Sequence, residues 1–306
     1  MERPKKRLSA PLRLNWDIAP ERLGGLASAR FVEVAQEVAS LRVFFVKLRP
    51  IGALPEGFDD VVRALKSGGS RVTVSAGAPE LLPSPEIQNM ADSLDLSPEA
   101  ARSFPPLLEA ALSLLSPSRI SVTLVPERGN AAKVAEVFRL ALDKGVTRLA
   151  LANPNIITNR DAGRFILDEA ARAGFKEALE PLLTPFGANV SFSVHDLFLH
   201  GALSLPGLGG LVEYAGCQAG DALCYIAPDG SLYPCASMDE RVGGLSTSSF
   251  RELWSAASLT ELRAGIACVP AGCEACPKAR VCIGGCRGLA FATGGDAAKD
   301  PNCPAR

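Results

Sequence analysis

The first 216 residues of this 306-residue chain contain no cysteine, and all nine cysteines fall between Cys217 and Cys303. Thiol chemistry is therefore excluded from more than two thirds of the chain. Histidine is almost missing too, with only His195 and His200, which excludes a His-rich metal site. No run of about 18 apolar residues occurs, so no membrane-spanning helix is expected. Met1 to Arg7 is basic, but Pro11 and Arg13 interrupt the apolar segment that a secretory signal would need. An excess of one charge sign is lacking as well. With 32 Lys and Arg against 33 Asp and Glu, the net charge of −1 gives no general attraction to nucleic acid or anionic lipid. Together these absences imply a cytoplasmic address. Clustered thiols there read as metal ligands or redox groups, because the compartment disfavours a disulfide framework.

What is present falls into two parts, as a domain size of roughly 150 residues would predict. In the first part, short runs of β-branched and apolar residues alternate with helical periodicity. Strands are expected near Arg13 to Ile18, Arg42 to Leu48, Arg71 to Ala76, Arg119 to Leu124, Thr147 to Ala152 and Asn189 to Val194. Six strands give about 36 residues per unit, close to one βα module. Val134, Val137, Phe138, Ala141 and Leu142 make one apolar helical stripe, with Gly145 as the stop. A further helix is expected to be capped by Thr158 with Asp161, to bury Phe165 and Ile166, and to end at Gly174. Strands buried on both faces imply a parallel sheet covered by helices, either doubly wound or a partial barrel. The stretch from Pro83 to Pro106 reads as an irregular excursion. Gly207-Leu208-Gly209-Gly210 reads as a flexible junction, since no strand leads into it and no Lys-Ser/Thr follows.

Cysteine reaches about 10% of the last ~90 residues, a density that signals a metal or disulfide scaffold. Cys273-x2-Cys276-x5-Cys282-x3-Cys286 can fold four thiolates around one or two inorganic centres, and Gly284-Gly285 lets backbone N–H groups approach sulfur. Upstream, Tyr225-Ile226-Ala227 and Ser231-Leu232-Tyr233 flank Pro228-Asp229-Gly230, a hairpin signal. A two-residue Asp-Gly loop would set Cys224 opposite Cys235, whereas a three-residue loop would turn it to the other face.

The pattern C-x12-G-x4-C from Cys217 through Gly230 to Cys235, then C-x2-C-x5-C-x3-C from Cys273, then Cys303, resembles the SPASM domain of radical SAM peptide-maturing enzymes. Phe250-Arg251-Glu252-Leu253-Trp254, Gly284-Gly285-Cys286-Arg287 and Asp300-Pro301-Asn302-Cys303-Pro304 add to the likeness. The resemblance implies two auxiliary [4Fe-4S] clusters. One would be held by Cys217, Cys224, Cys235 and Cys286, the other by Cys273, Cys276, Cys282 and Cys303. Cys268 would be a spare, buried thiol. Structural zinc is the plainer alternative, but a zinc ribbon shows two Cys-x2-Cys halves and this chain has one.

Radical SAM enzymes carry C-x3-C-x2-C just after the first strand of a partial (β/α)6 barrel, and a Gly-Gly-Glu segment after the second. Here the first strand continues as Ala19-Pro20-Glu21-Arg22, and the second region reads Leu48-Arg49-Pro50-Ile51-Gly52. The resemblance therefore implies a degenerate radical-SAM-like barrel over 1–210 and a SPASM domain over 211–306, with no SAM bound and no catalytic residues of its own. The combination resembles the SPASM domain proteins of the GeoRSP system. That likeness implies a radical SAM/SPASM maturase, a PqqD-like peptide-binding protein and a ribosomal peptide as partners, with ferredoxin or flavodoxin as electron donor. The expected role is an accessory one; a peptide-binding module with structural clusters and an independent oxidoreductase are the alternatives. Asp17, Glu127, Asn153, Asn155, His195 and Asp196 would gather at the barrel mouth, where capping of helices and loops is their simplest role. Arg160 and Arg164 are expected on a solvated helix face, and Trp16 and Trp254 as core anchors.

Overall fold

The computed structural model describes residues 8–203, 205, 216–295 and 298–305. The glycine-rich stretch at 207–210 lies outside them. Seven parallel strands follow one another in the sheet: β1 (Arg13–Ile18), β2 (Phe45–Pro50), β3 (Arg71–Ala76), β4 (Ser93–Leu96), β5 (Ile120–Leu124), β6 (Arg148–Leu151) and β7 (Ser191–Val194). Between them run α1 (Ser28–Ser40), α2 (Phe58–Ser67), α3 (Pro85–Met90), α4 (Phe104–Leu112), α5 (Ala131–Asp143) and α6 (Glu169–Leu183), and α7 (Leu197–Ala202) follows β7. This is one strand more than the sequence suggested. The addition, β4, lies inside the stretch expected to be irregular, and its four residues pair with both β3 and β5.

Alternation along the strands decides between the two candidate architectures. Leu14, Trp16, Val46, Leu48, Val72, Val74, Leu94, Leu96, Ile120 and Val122 join the helical stripes, including Phe31, Val61, Leu107 and Phe138, in one apolar core. The intervening residues are polar. Asp95 accepts from Lys47 Nζ at 2.6 Å, Ser75 Oγ at 3.1 Å, Ser121 Oγ at 2.8 Å and Thr123 Oγ1 at 2.6 Å, which links four strands on the opposite face. The strands are thus buried on both faces, as expected, but apolar on one only, with Asp17, Ser75 and Asp95 buried on the other. A doubly wound sheet needs apolar cover on both sides, whereas a barrel can keep a polar interior. The sheet is a partial barrel with its helices outside.

Helix α5 buries the five expected stripe residues. Helix α6 departs from its expected bounds. Asp168, not Thr158, caps it by accepting from the Ala171 N–H at 2.8 Å; Ala162–Phe165 form a separate 3-10 turn, and Gly174 lies inside the helix. Arg164 accordingly sits on that turn and pairs with Glu127.

The cysteine-bearing part adds β8 (Leu223–Ile226), β9 (Ser231–Tyr233), β10 (Gly243–Gly244), α8 (Phe250–Trp254), α9 (Ala257–Ala267), α10 (Ala279–Cys282) and α11 (Arg287–Gly294). It is continuous with the barrel sheet. Strand β8 pairs in parallel with β1, giving the order β10-β9-β8-β1 and then β2 to β7. A capping box formed by Ser249 and Glu252 starts α8. Helix α1 holds this region: Arg30 donates to the Leu245 carbonyl at 2.7 Å and the Ser248 carbonyl at 3.0 Å, and Glu37 accepts from the Phe250 N–H at 2.5 Å. Trp16 and Trp254 are both buried; the ring of Trp254 lies under the Arg263 guanidinium at 4.4 Å.

Candidate metal centre

The hairpin between β8 and β9 fixes which cysteines can meet. Tyr225 pairs with Tyr233 and Ile226 with Leu232, and the Ala227 N–H donates to the Ser231 carbonyl at 2.9 Å. The connection is therefore the three-residue Pro228-Asp229-Gly230. Asp229 stabilises it by accepting from the Ser231 N–H at 2.9 Å, and Gly230 adopts φ +79. In this register Cys224 and Cys235 project to opposite faces. Cys224 is buried in the main apolar core, with its sulfur 4.0 Å from the Arg13 carbonyl oxygen. Cys235 packs with Cys217, Ala219 and Met238.

Two thiol neighbourhoods result. In the first, Cys217, Cys235 and Cys286 lie close enough for their charges to act on one another. In the second, Cys303 acts on both Cys273 and Cys282, and Cys276 acts on Cys273. Cys224 belongs to neither. Cys268 is also apart, and it is exposed where a buried thiol was expected: it ends α9, where its sulfur meets the Ala264 carbonyl at 3.3 Å.

Burial raises the pKa of five of these thiols. It pushes Cys217 up, Cys235 up to about 12, and Cys273 and Cys282 up; at Cys286 burial, then Asp300, then Cys235 and Cys217 push it well up. Backbone N–H groups pull the other way: Ala219 and Arg287 at Cys217, Ser237 and Met238 at Cys235, Gly284 and Gly285 at Cys282, and Leu289 at Cys286. The Cys286 contact is a helix cap, with the Leu289 N–H 3.4 Å from the sulfur at the start of α11. Gly285 at φ +80 makes room for this arrangement, since a Cβ there would lie 2.5 Å from Asp300 Cβ. Desolvated sulfurs ringed by N–H donors suit thiolates whose charge a metal centre balances, so this donor set fits iron–sulfur ligation. Among the described residues, no three Cys, His, Asp or Glu side chains converge on a point that a single ion would occupy.

The barrel mouth faces the first neighbourhood. Asn153, just beyond β6, donates from Nδ2 to the Cys286 sulfur at 3.1 Å. The flanking loop is fastened to the segment after Cys235: Ser237 Oγ donates to the Pro154 carbonyl at 2.6 Å, and the Ile156 N–H to the Ala236 carbonyl at 2.9 Å. At the end of β1, Asp17 accepts from Arg49 Nε at 2.8 Å, Tyr225 Oη at 2.7 Å and Asn155 Nδ2 at 3.3 Å. His195, just beyond β7, is exposed. Asp196 is structural: it caps α7 by accepting from the Leu199 N–H at 2.6 Å, and it accepts from Asn302 Nδ2 at 2.6 Å. Burial, reinforced by Asp196, pushes Asp300 up to about 7. The partners of Asn153, Asp300 and Arg287 were not legible as a set, because each contact depends on the packing of distant segments.

The profile of the SPASM family, an iron–sulfur cluster-binding domain, matches residues 217–277. Structural comparison extends the likeness to nearly the whole chain. The fold is of the radical SAM/SPASM type. Streptococcus suis SuiB, solved bound to the precursor peptide SuiA, superposes with a TM-score of 0.67 at 14% identity, covering 96% of this chain and 76% of SuiB. Native anSMEcpe with bound AdoMet gives a TM-score of 0.64 at 15% identity, covering 95% of this chain and 94% of that one. In sequence, the PqqA peptide cyclase of Gluconobacter oxydans is 28% identical over 208 residues, or 63% of this chain and 54% of that protein. The PqqA peptide cyclase of Xanthomonas campestris pv. campestris is 26% identical over 194 residues, 60% and 49% respectively. The chain thus spans about half the length of the curated relatives it matches. No described helix is long and apolar enough to cross a membrane.

Proposed function

We propose that this chain is an accessory iron–sulfur protein of a radical SAM peptide-maturation system, with no cleavage of SAM of its own. One observation carries the reading. Two neighbourhoods of thiols are present, with backbone N–H donors at Cys217, Cys235 and Cys286 in the first and at Cys282 in the second, while the end of β1 holds the bonded carboxylate of Asp17 and no thiol. Cys273, Cys276, Cys282 and Cys303 hold one [4Fe-4S] cluster; Cys217, Cys235 and Cys286 hold the other. Cys224, included by family resemblance, lies on the opposite face of β8 and is left out of this assignment. The domains divide near residue 210. The clusters supply one-electron redox capacity when bound, and the protein positions their sulfurs and excludes water around them.

The catalytic partner is a radical SAM/SPASM maturase, the substrate a ribosomal peptide presented by a PqqD-like protein, and the electron donor a ferredoxin or flavodoxin. The PqqA peptide cyclases and the peptide-bound SuiB support this class of substrate. Anaerobic reconstitution of the full chain is expected to give about eight iron atoms and eight sulfides per chain, no 5′-deoxyadenosine when SAM and a reductant are added, and co-purification with the maturase. Zinc without iron, or SAM cleavage by the isolated chain, overturns it.

A further inference from the structure

We propose that Asn153 sets the reduction potential of the iron–sulfur centre on Cys217, Cys235 and Cys286, by hydrogen bonding from the barrel mouth to the Cys286 sulfur. This rests on the reading of those three cysteines as ligands.

The Nδ2···Sγ distance of 3.1 Å is the shorter of two contacts at that sulfur, the other being the Leu289 N–H at 3.4 Å. The remaining donors around these thiols, at Ala219, Arg287, Ser237 and Met238, are backbone groups supplied from within the cysteine-bearing part. Asn153 differs in kind, as a side chain arriving from a loop 133 residues away in sequence. Its position is held from both sides. The Ala152 N–H donates to the Leu124 carbonyl at 2.8 Å, while Pro154 and Ile156 are bonded to Ser237 and Ala236, next to Cys235. A ligated sulfur can only accept, so the amide must present its NH2 to it.

The chemical consequence follows from charge. One-electron reduction adds a negative charge that spreads onto the ligand sulfurs, and a donor aimed at sulfur stabilises that state more than the oxidised one. Asn153 therefore raises the potential. The electron comes from an external one-electron donor; no bond to Asn153 is made or broken, and its amide keeps both protons. A carboxylate at this position would act in the opposite sense, since it repels the added charge.

The test compares the reconstituted full-length wild type with Asn153→Leu, which removes the donor at similar size, and Asn153→Asp, which keeps the shape and reverses the sign. Iron and sulfide analysis and far-UV circular dichroism are read beside a potentiometric titration with dithionite followed by EPR. Both variants are expected to keep the wild-type iron content. In Asn153→Leu, one of the two cluster signals should change its reduced-to-oxidised ratio about tenfold at fixed potential, a negative shift of about 59 mV for one electron. Asn153→Asp should shift it further, and the signal of the cluster on Cys273, Cys276, Cys282 and Cys303 should not move. Full iron with unshifted titrations in both variants overturns the assignment. So does loss of about half the iron in both, which would make Asn153 a support for assembly. A wild type without iron overturns the ligand reading itself, and is distinguished by failing before any potential is measured.

Discussion

The hydroxyl of Tyr225 on β8 donates to the carboxylate of Asp17 on β1 at 2.7 Å, although the two residues are 208 positions apart. Arg49 and Asn155 complete the shell around the same carboxylate. Tyr225→Phe should cost about 1.5–3 kcal/mol, the range for a hydrogen bond to a charged group. Arg49→Met should cost about 2–3 kcal/mol, below the range for a fully buried pair because Arg49 is one-third exposed. Chemical denaturation measures both, and the double variant should fall short of the sum, since the two donors share one acceptor.

Lys47 and Asp95 give the barrel interior a pH signature. Burial would raise the pKa of Asp95, but Lys47 and the hydroxyls of Thr123 and Ser121 hold it below the ordinary carboxylate range. A depressed folded-state pKa contributes stability that is present above the unfolded value of about 3.9 and lost as pH falls through the folded value. In Lys47→Met the carboxylate remains buried without its cation. Denaturation at a series of pH values should show a loss of about 3 kcal/mol at pH 7 that shrinks toward pH 4, because a protonated Asp95 no longer needs the ion pair.

Cysteine substitutions separate ligands from core thiols. Cys235→Ala should lower the reconstituted iron from about eight to about four atoms per chain. Cys224→Ala should keep about eight and lose only packing, at about 1 kcal/mol. Loss of about four iron atoms in Cys224→Ala would restore it to the ligand set.

Gly230→Ala tests why the spacing pattern contains a glycine. The residue sits at φ +79, and a Cβ would lie 2.6 Å from Leu26 Cδ2, where the hairpin turn packs on the chain after β1. Strain and overpacking should together cost about 2–3 kcal/mol, read as a lowered denaturation midpoint.

Much of this architecture is legible in local sequence. Strands β1 and β3 occupy the expected residues, because each is a six-residue alternation with clear turn signals beside it. The same alternation, with Asn15 and Asp17 between Leu14, Trp16 and Ile18, carries the polar barrel interior in plain view. Strand β4 escaped because its four residues, Ser93–Leu96, are too short for periodicity to speak. At α6 the expected cap, Thr158, lies ten residues upstream of the actual one, Asp168, whose side chain accepts from the Ala171 N–H. The Cys273 to Cys286 spacing announces a thiolate centre on its own. The contact of Asn153 with Cys286 could not be read, since its partners meet only after sheet and hairpin have joined.

That joining has a consequence for biosynthesis. Strand β1 is made first, yet one of its two hydrogen-bonding edges is covered by β8, some 210 residues later. Until the hairpin leaves the ribosome, the nascent sheet exposes an unpaired edge that can recruit a strand from another chain. A chain truncated after residue 216 would keep that edge permanently and should aggregate, while the intact chain closes it last and slowly, as a pairing of such long range requires.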